Sequence, residues 1–178
     1  MNAQPACACL VVLAHALQGE LAPSAAELLG LARRLAEHRP APIKAMLAGH
    51  GLGPAARQMA ALGPDEVIVL EGPGLAHYSG PAWVEALAPP LAGLAPAWVL
   101  VAHDSQGQDY APVLSLRLQA ACLGPVEGLD WPGGDPAFLC PGHGGKVLWL
   151  ERPSTPSAVI SVAPGAEKGG IATGPVQA

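Results

Sequence analysis

The chain has 178 residues, which suits one domain with a single hydrophobic core. Its formal net charge of −5 is spread along the sequence, which argues against a nucleic-acid-binding surface or a polybasic membrane anchor. The longest apolar stretches, at 7–14 and 95–102, are far shorter than the roughly 20 residues that a membrane-spanning helix needs.

Charge content and cysteine count indicate the surroundings of the protein. Charged residues make up 13% of the chain, about half of the roughly 25% usual in soluble domains, so part of the surface is expected to meet other protein. No basic residue precedes the first apolar run, which argues against a secretory signal and predicts a cytoplasmic protein. The four cysteines are too few for a disulfide scaffold at this length. They are Cys7, Cys9, Cys122 and Cys140.

The first predicted unit is a strand followed by a helix. Residues 9–14 are continuously apolar, as expected of a strand covered on both faces. Ser24 and Glu27 have the spacing of a capping box, which predicts the start of a helix at Ser24. One face of this helix is apolar, and Pro40 and Pro42 end it.

The same alternation then repeats along the chain. Further strands are predicted at 43–48, 66–70 and Trp98–Ala102. Further helices are predicted at 54–63, from about 81 onward, and at about 109–122. Proline at the start and glycine at the end favour the helix between Pro54 and Gly63. In the next helix, which should bury Trp83 and Leu87, we expect Pro89 and Pro90 to cause a kink or an early end.

Strands that alternate with helices of this length predict a three-layer α/β fold. The sheet should be mostly parallel, with right-handed crossovers and helices on both faces, in a Rossmann-like arrangement. After Gly124 the pattern changes to short strand-like segments without helices, at 137–139, 146–151 and 158–162. We expect these late strands to extend the same sheet. The domain is predicted at 7–164, followed by a flexible tail at 165–178.

Six short segments stand in a defined order along the chain. They are Gly-Glu-Leu-Ala-Pro at 19–23, Leu-Gly-Pro-Asp-Glu-Val-Ile-Val at 62–69, Leu-Ala-His-Tyr at 75–78, Asp-Ser-Gln-Gly-Gln-Asp-Tyr-Ala-Pro at 104–112, Gly-Gly-Lys at 144–146 and Val-Ala-Pro-Gly at 162–165. None of them is specific alone. Their order and spacing resemble the N-terminal domain of the electron transfer flavoprotein α-subunit over about 10–165.

This resemblance implies an adenine nucleotide alpha hydrolase-like domain, a place in flavin electron transfer and a set of partners. The expected partners are a β-like subunit in a heterodimer, a separate flavin domain, and a dehydrogenase or oxidoreductase. In that family most contacts to FAD come from a second domain, and this sequence ends at Ala178, before it. FAD is therefore expected in the complex and not tightly bound to this chain alone. The sequence also departs from the family, since Gln108, Cys140 and Ala163 stand where arginines are common.

The loop at 104–109 is the predicted cofactor-binding or interface site. It follows a strand and opens a helix, at the edge where parallel sheets bind ligands and helix N-termini bind anions. Its candidate residues are Asp104, Ser105, Gly107, Gln108 and Asp109. The alternative, which we favour, is that Ser105 or Asp104 caps the helix, with Pro112 in its first turn.

Other motifs favour structural roles. The glycines at 49–53 have the wrong spacing for a dinucleotide fingerprint and predict a tight turn. Cys140 and His143 supply only half of a zinc site, and most cysteines are predicted to be small buried hydrophobes. His103, Asp104 and Ser105 are adjacent in sequence, which is no evidence of a triad, and we identify no catalytic or metal site. All four tryptophans are predicted in the core, with a partner surface as the alternative for Trp131 and Trp149.

The leading hypothesis is an α-like electron-transfer subunit that serves as a scaffold and has no enzymatic activity of its own. The alternatives are an adenine-nucleotide-binding or regulatory module and a degenerate structural subunit.

Overall fold

The computed structural model describes residues 9–166. The helices in this range are α1 (Ser24–His38), α2 (Gly53–Ala61), α3 (Gly80–Leu94) and α4 (Ser105–Leu118). The strands are β1 (Leu10–Ala14), β2 (Ala16–Leu17), β3 (Glu20–Leu21), β4 (Ile43–Gly49), β5 (Glu66–Glu71), β6 (Trp98–Ala102), β7 (Ala121–Val126), β8 (Gly128–Asp130), β9 (Ala137–Gly142), β10 (Val147–Glu151) and β11 (Ala158–Val162). Single 3₁₀ turns lie at Pro73–Leu75 and Pro132–Gly134.

The main sheet has six parallel strands in the order β5-β4-β1-β6-β11-β7. The two central strands, β1 and β6, pair in register, with Leu10 opposite Trp98. Every residue of both strands is buried. This explains why their sequences are continuously apolar and do not alternate, because helices or loops cover both faces of a parallel sheet.

Helices cover both faces of the main sheet, which confirms the three-layer α/β prediction. Leu10 and Val12 of β1 pack on the side of α1, while Val11 and Leu13 pack on the side of α3 and α4. Met59 of α2 belongs to a third, smaller cluster, which also contains Ala25 of α1 and Ala14 of β1. The core therefore consists of two apolar layers separated by the sheet.

The late strands do not all extend this sheet, so that prediction was wrong in part. Only β11 joins the main sheet, between β6 and β7. β8, β9 and β10 form a separate antiparallel sheet, which packs on the α1 side through Phe138, edge-to-face against Trp98 at a centroid distance of 5.5 Å. The fourth helix also ends earlier than predicted. Gln119 has φ 53 and terminates α4, and the chain then enters β7.

The predicted capping box of α1 and the predicted early end of α3 are both wrong. The capping box is absent because Pro23 is already helical at φ −56 and ψ −31, which places Ser24 beyond the cap position. Glu27 accepts a hydrogen bond from the backbone N–H of Gly165 at 2.8 Å instead. Pro89 and Pro90 do not end α3, which continues to Leu94. The two prolines lack the backbone N–H groups of a regular helix. Burial of the face that contains Leu87 and Leu91 compensates for the missing hydrogen bonds.

The tryptophans divide between core and surface. Trp83 and Trp98 are buried, as predicted. Trp131 is half-buried, packs against the core and stacks on His38 at 3.7 Å. Trp149 is 49% exposed on β10, so its predicted place in the core was wrong. β10 is an edge strand of the small sheet, and nothing in the described range covers its outer side.

Candidate functional site

The candidate site lies at the carboxyl ends of β1 and β6. These neighbouring strands are followed by helices on opposite faces of the sheet, α1 after β1 and α4 after β6. Such a topological switch point opens a crevice where doubly wound sheets bind ligands. The predicted loop at 104–109 forms one wall of this crevice.

Asp104 caps α4, which is the alternative that the sequence favoured. Its carboxylate accepts the N–H of Gly107 at 2.8 Å, and its backbone carbonyl accepts the N–H of Gln108 at 2.9 Å. A Cβ at Gly107 would overlap the carbonyl oxygen of Ala102, so this glycine allows α4 to pack against the end of β6. Pro112 lies inside α4 and not in its first turn. Ser105 and Gln108 are exposed.

His15 lies opposite Asp104 and was missed by the sequence analysis. It directly follows β1 and is only 4% exposed. Its Nδ1 lies 3.2 Å from Oδ2 of Asp104, and its Nε2 lies 3.1 Å from the hydroxyl of Tyr110. The neutral tautomer satisfies both contacts, with Nδ1–H donating to Asp104 and Nε2 accepting from Tyr110. The signal in the sequence was a polar side chain immediately after a fully apolar strand.

Aromatic rings enclose His15. Trp83 meets it edge-on at 5.3 Å and Tyr110 at 5.8 Å between ring centroids. Tyr78 packs against Trp83 at 5.4 Å and donates its hydroxyl to Asp109 at 2.6 Å. The indole N–H of Trp83 is buried and has no hydrogen-bond partner in the described part of the chain.

Asp109 reaches this cluster because position 80 is glycine. A Cβ at Gly80 would overlap the carboxylate of Asp109. Asp104, Gly107 and Asp109 of the predicted set therefore take part in the cluster around His15, together with Tyr78, Trp83 and Tyr110. Tyr110 follows Asp109 on α4, whereas Tyr78 and Trp83 come from the segment before and within α3.

Burial determines the protonation of these groups. It lowers the pKa of His15, against the opposing charge and hydrogen bond of Asp104. Burial also raises the pKa of Tyr110, reinforced by the nearby charge of Asp104. The pKa of Tyr78 is raised by burial and by its hydrogen bond to Asp109. The histidine is thus neutral, both tyrosines keep their protons, and the carboxylates carry the charge of the crevice.

This charge pattern limits what the crevice can bind. Two carboxylates accept hydrogen bonds from hydroxyl or amino groups and repel phosphate. Both ring nitrogens of His15 are already bonded, so the pair His15–Asp104 is not arranged to take a proton from a ligand. The crevice therefore fits hydrogen-bond donors better than anions.

The other motifs have structural positions. The glycine-rich segment forms the tight turn between β4 and α2, as predicted. Cys9 and Cys140 are buried, Cys122 is exposed, and Cys7 lies outside the described residues. Burial raises the pKa of Cys140 to about 12, so its thiol stays protonated. Residues 9–166 contain no group of three or more metal-ligating side chains placed to hold an ion. None of the helices in this range has the length and apolar character needed to cross a membrane.

Comparison with known proteins shows which family the chain is similar to. Residues 9–176 match the family described as the electron transfer flavoprotein domain. The chain is 27% identical over 162 residues to the electron transfer flavoprotein subunit alpha of Thermoanaerobacterium thermosaccharolyticum, which covers 90% of this chain and 49% of that protein.

Two further relatives extend this picture. The electron transfer flavoprotein subunit alpha of Megasphaera elsdenii is 31% identical over 141 residues, covering 78% of this chain and 42% of that protein. The acryloyl-CoA reductase electron transfer subunit beta of Anaerotignum propionicum is 27% identical over 113 residues, which cover 64% of this chain and 31% of that protein. The chain thus spans about half or less of the length of these relatives.

We expect His15 to make stability depend on pH. Because burial lowers its pKa below the ordinary 6.5, the unfolded chain binds this proton more readily than the folded chain. His15 makes its full contribution to the free energy of unfolding when the pH is above 6.5. As the pH falls below 6.5, this contribution is lost, at no more than about 1.4 kcal/mol per pH unit. Chemical denaturation between about pH 7.5 and about pH 5 measures this slope.

Two variants separate His15 from the other titrating groups. His15→Gln should lower the free energy of unfolding at neutral pH and remove this part of the pH slope. His77→Gln, at an exposed position, is the matched control and should keep the slope. An unchanged slope in His15→Gln would contradict the assignment.

Proposed function

Because the chain belongs to the electron transfer flavoprotein domain family, we propose that it works as an α-like subunit in a heteromeric flavin electron-transfer complex. It pairs with a β-like subunit and forms the scaffold on which a flavin domain and a dehydrogenase or oxidoreductase rest. Its relatives are named as electron-transfer subunits, which supports a carrier or scaffold role over that of an independent enzyme.

The exposed strand β10 carries this proposal. Val147, Leu148 and Trp149 are 40%, 49% and 49% exposed, so both faces of this edge strand present apolar side chains to solvent. Tryptophan is enriched at the centres of protein interfaces, and unpaired edge strands form intermolecular contacts readily. Lys146 and Glu151 border the strip and supply a polar rim. We therefore place the β-like subunit on β10.

We also propose the cytoplasm as the location of the complex. Cys122 and Cys140 carry free thiols, as expected in a reducing compartment.

We expect the chain and its β-like subunit to elute as a heterodimer in size-exclusion chromatography at micromolar concentrations. Trp149→Ser should raise the dissociation constant about 30-fold, because an interface residue of this kind contributes about 2 kcal/mol to binding. Leu116→Ser is the matched control, because Leu116 is 78% exposed on α4, away from β10, and its loss should leave binding unchanged.

Circular dichroism of Trp149→Ser separates lost binding from lost folding. Leu148→Ser, on the opposite face of β10, provides a second variant that does not disturb the packing of Trp149 on Gly142. Binding as tight as the wild type in both variants, or monomers of both subunits at micromolar concentration, would contradict the proposal.

We expect the purified 178-residue chain to contain no stoichiometric FAD. The crevice at the switch point is acidic and disfavours the pyrophosphate of the flavin. The visible absorption spectrum measures the amount of FAD bound per chain. The heterodimer, prepared in parallel, and a sample supplemented with FAD serve as controls. One FAD per isolated chain would overturn the expectation. A heterodimer without flavin or electron transfer would instead indicate a purely structural subunit.

A second candidate function is binding of an adenine nucleoside or nucleotide at Asp104–Asp109. It is supported by the switch-point position and by two carboxylates, which can accept hydrogen bonds from ribose hydroxyls. Calorimetric titration should then show more heat with adenosine than with ATP, whose phosphates the carboxylates repel. Asp104→Asn retains a cap and should weaken binding, while the exposed Glu127→Gln should not. Absence of heat and of a thermal shift would remove this candidate.

A further inference from the structure

A cavity lies at the opposite end of the main sheet from His15, at the amino ends of β6 and β11. The last residues of α3 and α4 lie beside it, on one face of the sheet. Its volume is about 360 Å³, within the roughly 300–1,000 Å³ typical of small-molecule sites. The cavity is therefore large enough for a small organic ligand.

The walls of this cavity are mainly apolar. Leu91 of α3, Val99 of β6 and Ala158 of β11 line it and are buried in the core. Pro96 and Leu118 add further apolar surface. Such walls favour a ligand with an apolar body, because its surface is removed from water on binding.

The sharp ends of both helices explain why the space between them is open. Ala95 follows α3 with φ 45, and Gln119 follows α4 with φ 53. Both left-handed residues line the cavity. They turn the chain directly from each helix toward β6 or β7, so neither helix extends across the gap.

The two helix ends bring hydrogen-bond acceptors to the cavity. In a helix that continued, the N–H of Ala121 would bond to the carbonyl of Arg117, but it donates to Ser157 at 3.0 Å instead. Pro96 has no N–H for the carbonyl of Ala92, which receives only the N–H of Ala95 at 3.3 Å. Ala92 and Arg117 both line the cavity, so its polar chemistry is that of carbonyl acceptors.

The charges near the cavity favour an uncharged ligand. Arg117 is the charged residue among the described residues that line it, and its guanidinium donates to Glu85 of α3 in an ion pair. The partial negative charge of two helix carboxyl ends disfavours an anion, and the guanidinium of Arg117 disfavours a cation. A neutral donor, such as a hydroxyl or N–H group, meets neither penalty.

We propose that this cavity binds a small uncharged molecule with an apolar body and one hydrogen-bond donor. The apolar body lies against Leu91, Val99 and Leu118, and the donor bonds to a carbonyl at the end of α3 or α4. The site is separate from the crevice at His15 and from β10, and it is independent of the proposed electron-transfer role.

Titration of the full chain with indole and with benzofuran, followed by amide NMR, is the first test. The two probes have the same shape, but benzofuran has an oxygen in place of the N–H donor. Indole should shift the signals of Ala95, Gln119 and Ala120 in a saturable way. Benzofuran should bind about three- to tenfold more weakly, which is the effect of losing one neutral hydrogen bond.

Variants that fill the cavity locate the binding. Ala92→Phe, at an exposed position on the rim, should raise the dissociation constant for indole at least about tenfold. Ala120→Leu fills the cavity from the side of α4 and should act in the same direction. Ala60→Phe, at an exposed position on α2, is the matched control and should leave binding unchanged. Circular dichroism confirms that each variant is folded.

Two results would overturn the proposal. Shifts that do not saturate, or equal affinity for indole in the wild type and in folded Ala92→Phe and Ala120→Leu, would show that the cavity is not the site. Benzofuran that binds as tightly as indole would show that no donor is recognised.

Discussion

Burial of β1 and β6 on both faces is the constraint on which the other features depend. Within these strands every side chain contacts the core, so polar groups can occur only where the strands end. His15 is the first such group after β1, and it is still almost fully buried. Leaving its ring nitrogens unpaired there would cost about 1–3 kcal/mol each, so partners must come from the neighbouring strand and helix. Asp104 and Tyr110 supply them.

Two glycines set the positions of the carboxylates around this histidine. At Gly107 a side chain would collide with the backbone at the end of β6, and the displacement would move the cap residue Asp104. At Gly80 a side chain would displace Asp109 and its bond to Tyr78. The absence of side chains at these two positions therefore determines the polar geometry of the crevice as much as the polar residues themselves do.

The sequence predicted the elements whose stability is local or is set by a continuous apolar run. β6 was predicted with its observed bounds, and the start of α2 at Pro54 differs by one residue. Errors arose where tertiary contacts outweighed local preference. Buried leucines carry α3 through two prolines, and Pro23 displaces the cap of α1. Within the candidate site, the loop at Asp104 could be predicted because it directly follows a predicted strand. The partners His15 and Tyr110 could not, since 89 and 95 residues separate His15 from the two side chains it contacts.

Helix polarity favours different side chains at the start of α4 and at the end of α1. At the carboxyl end of β6, the capping requirement of α4 favours a carboxylate, because the side chain of Asp104 accepts the free N–H of Gly107. At the amino end of β6, Arg39 follows the last turn of α1, where a cation is stabilised by the free carbonyl groups. Helix polarity therefore favours an acceptor where α4 begins and a cation where α1 ends.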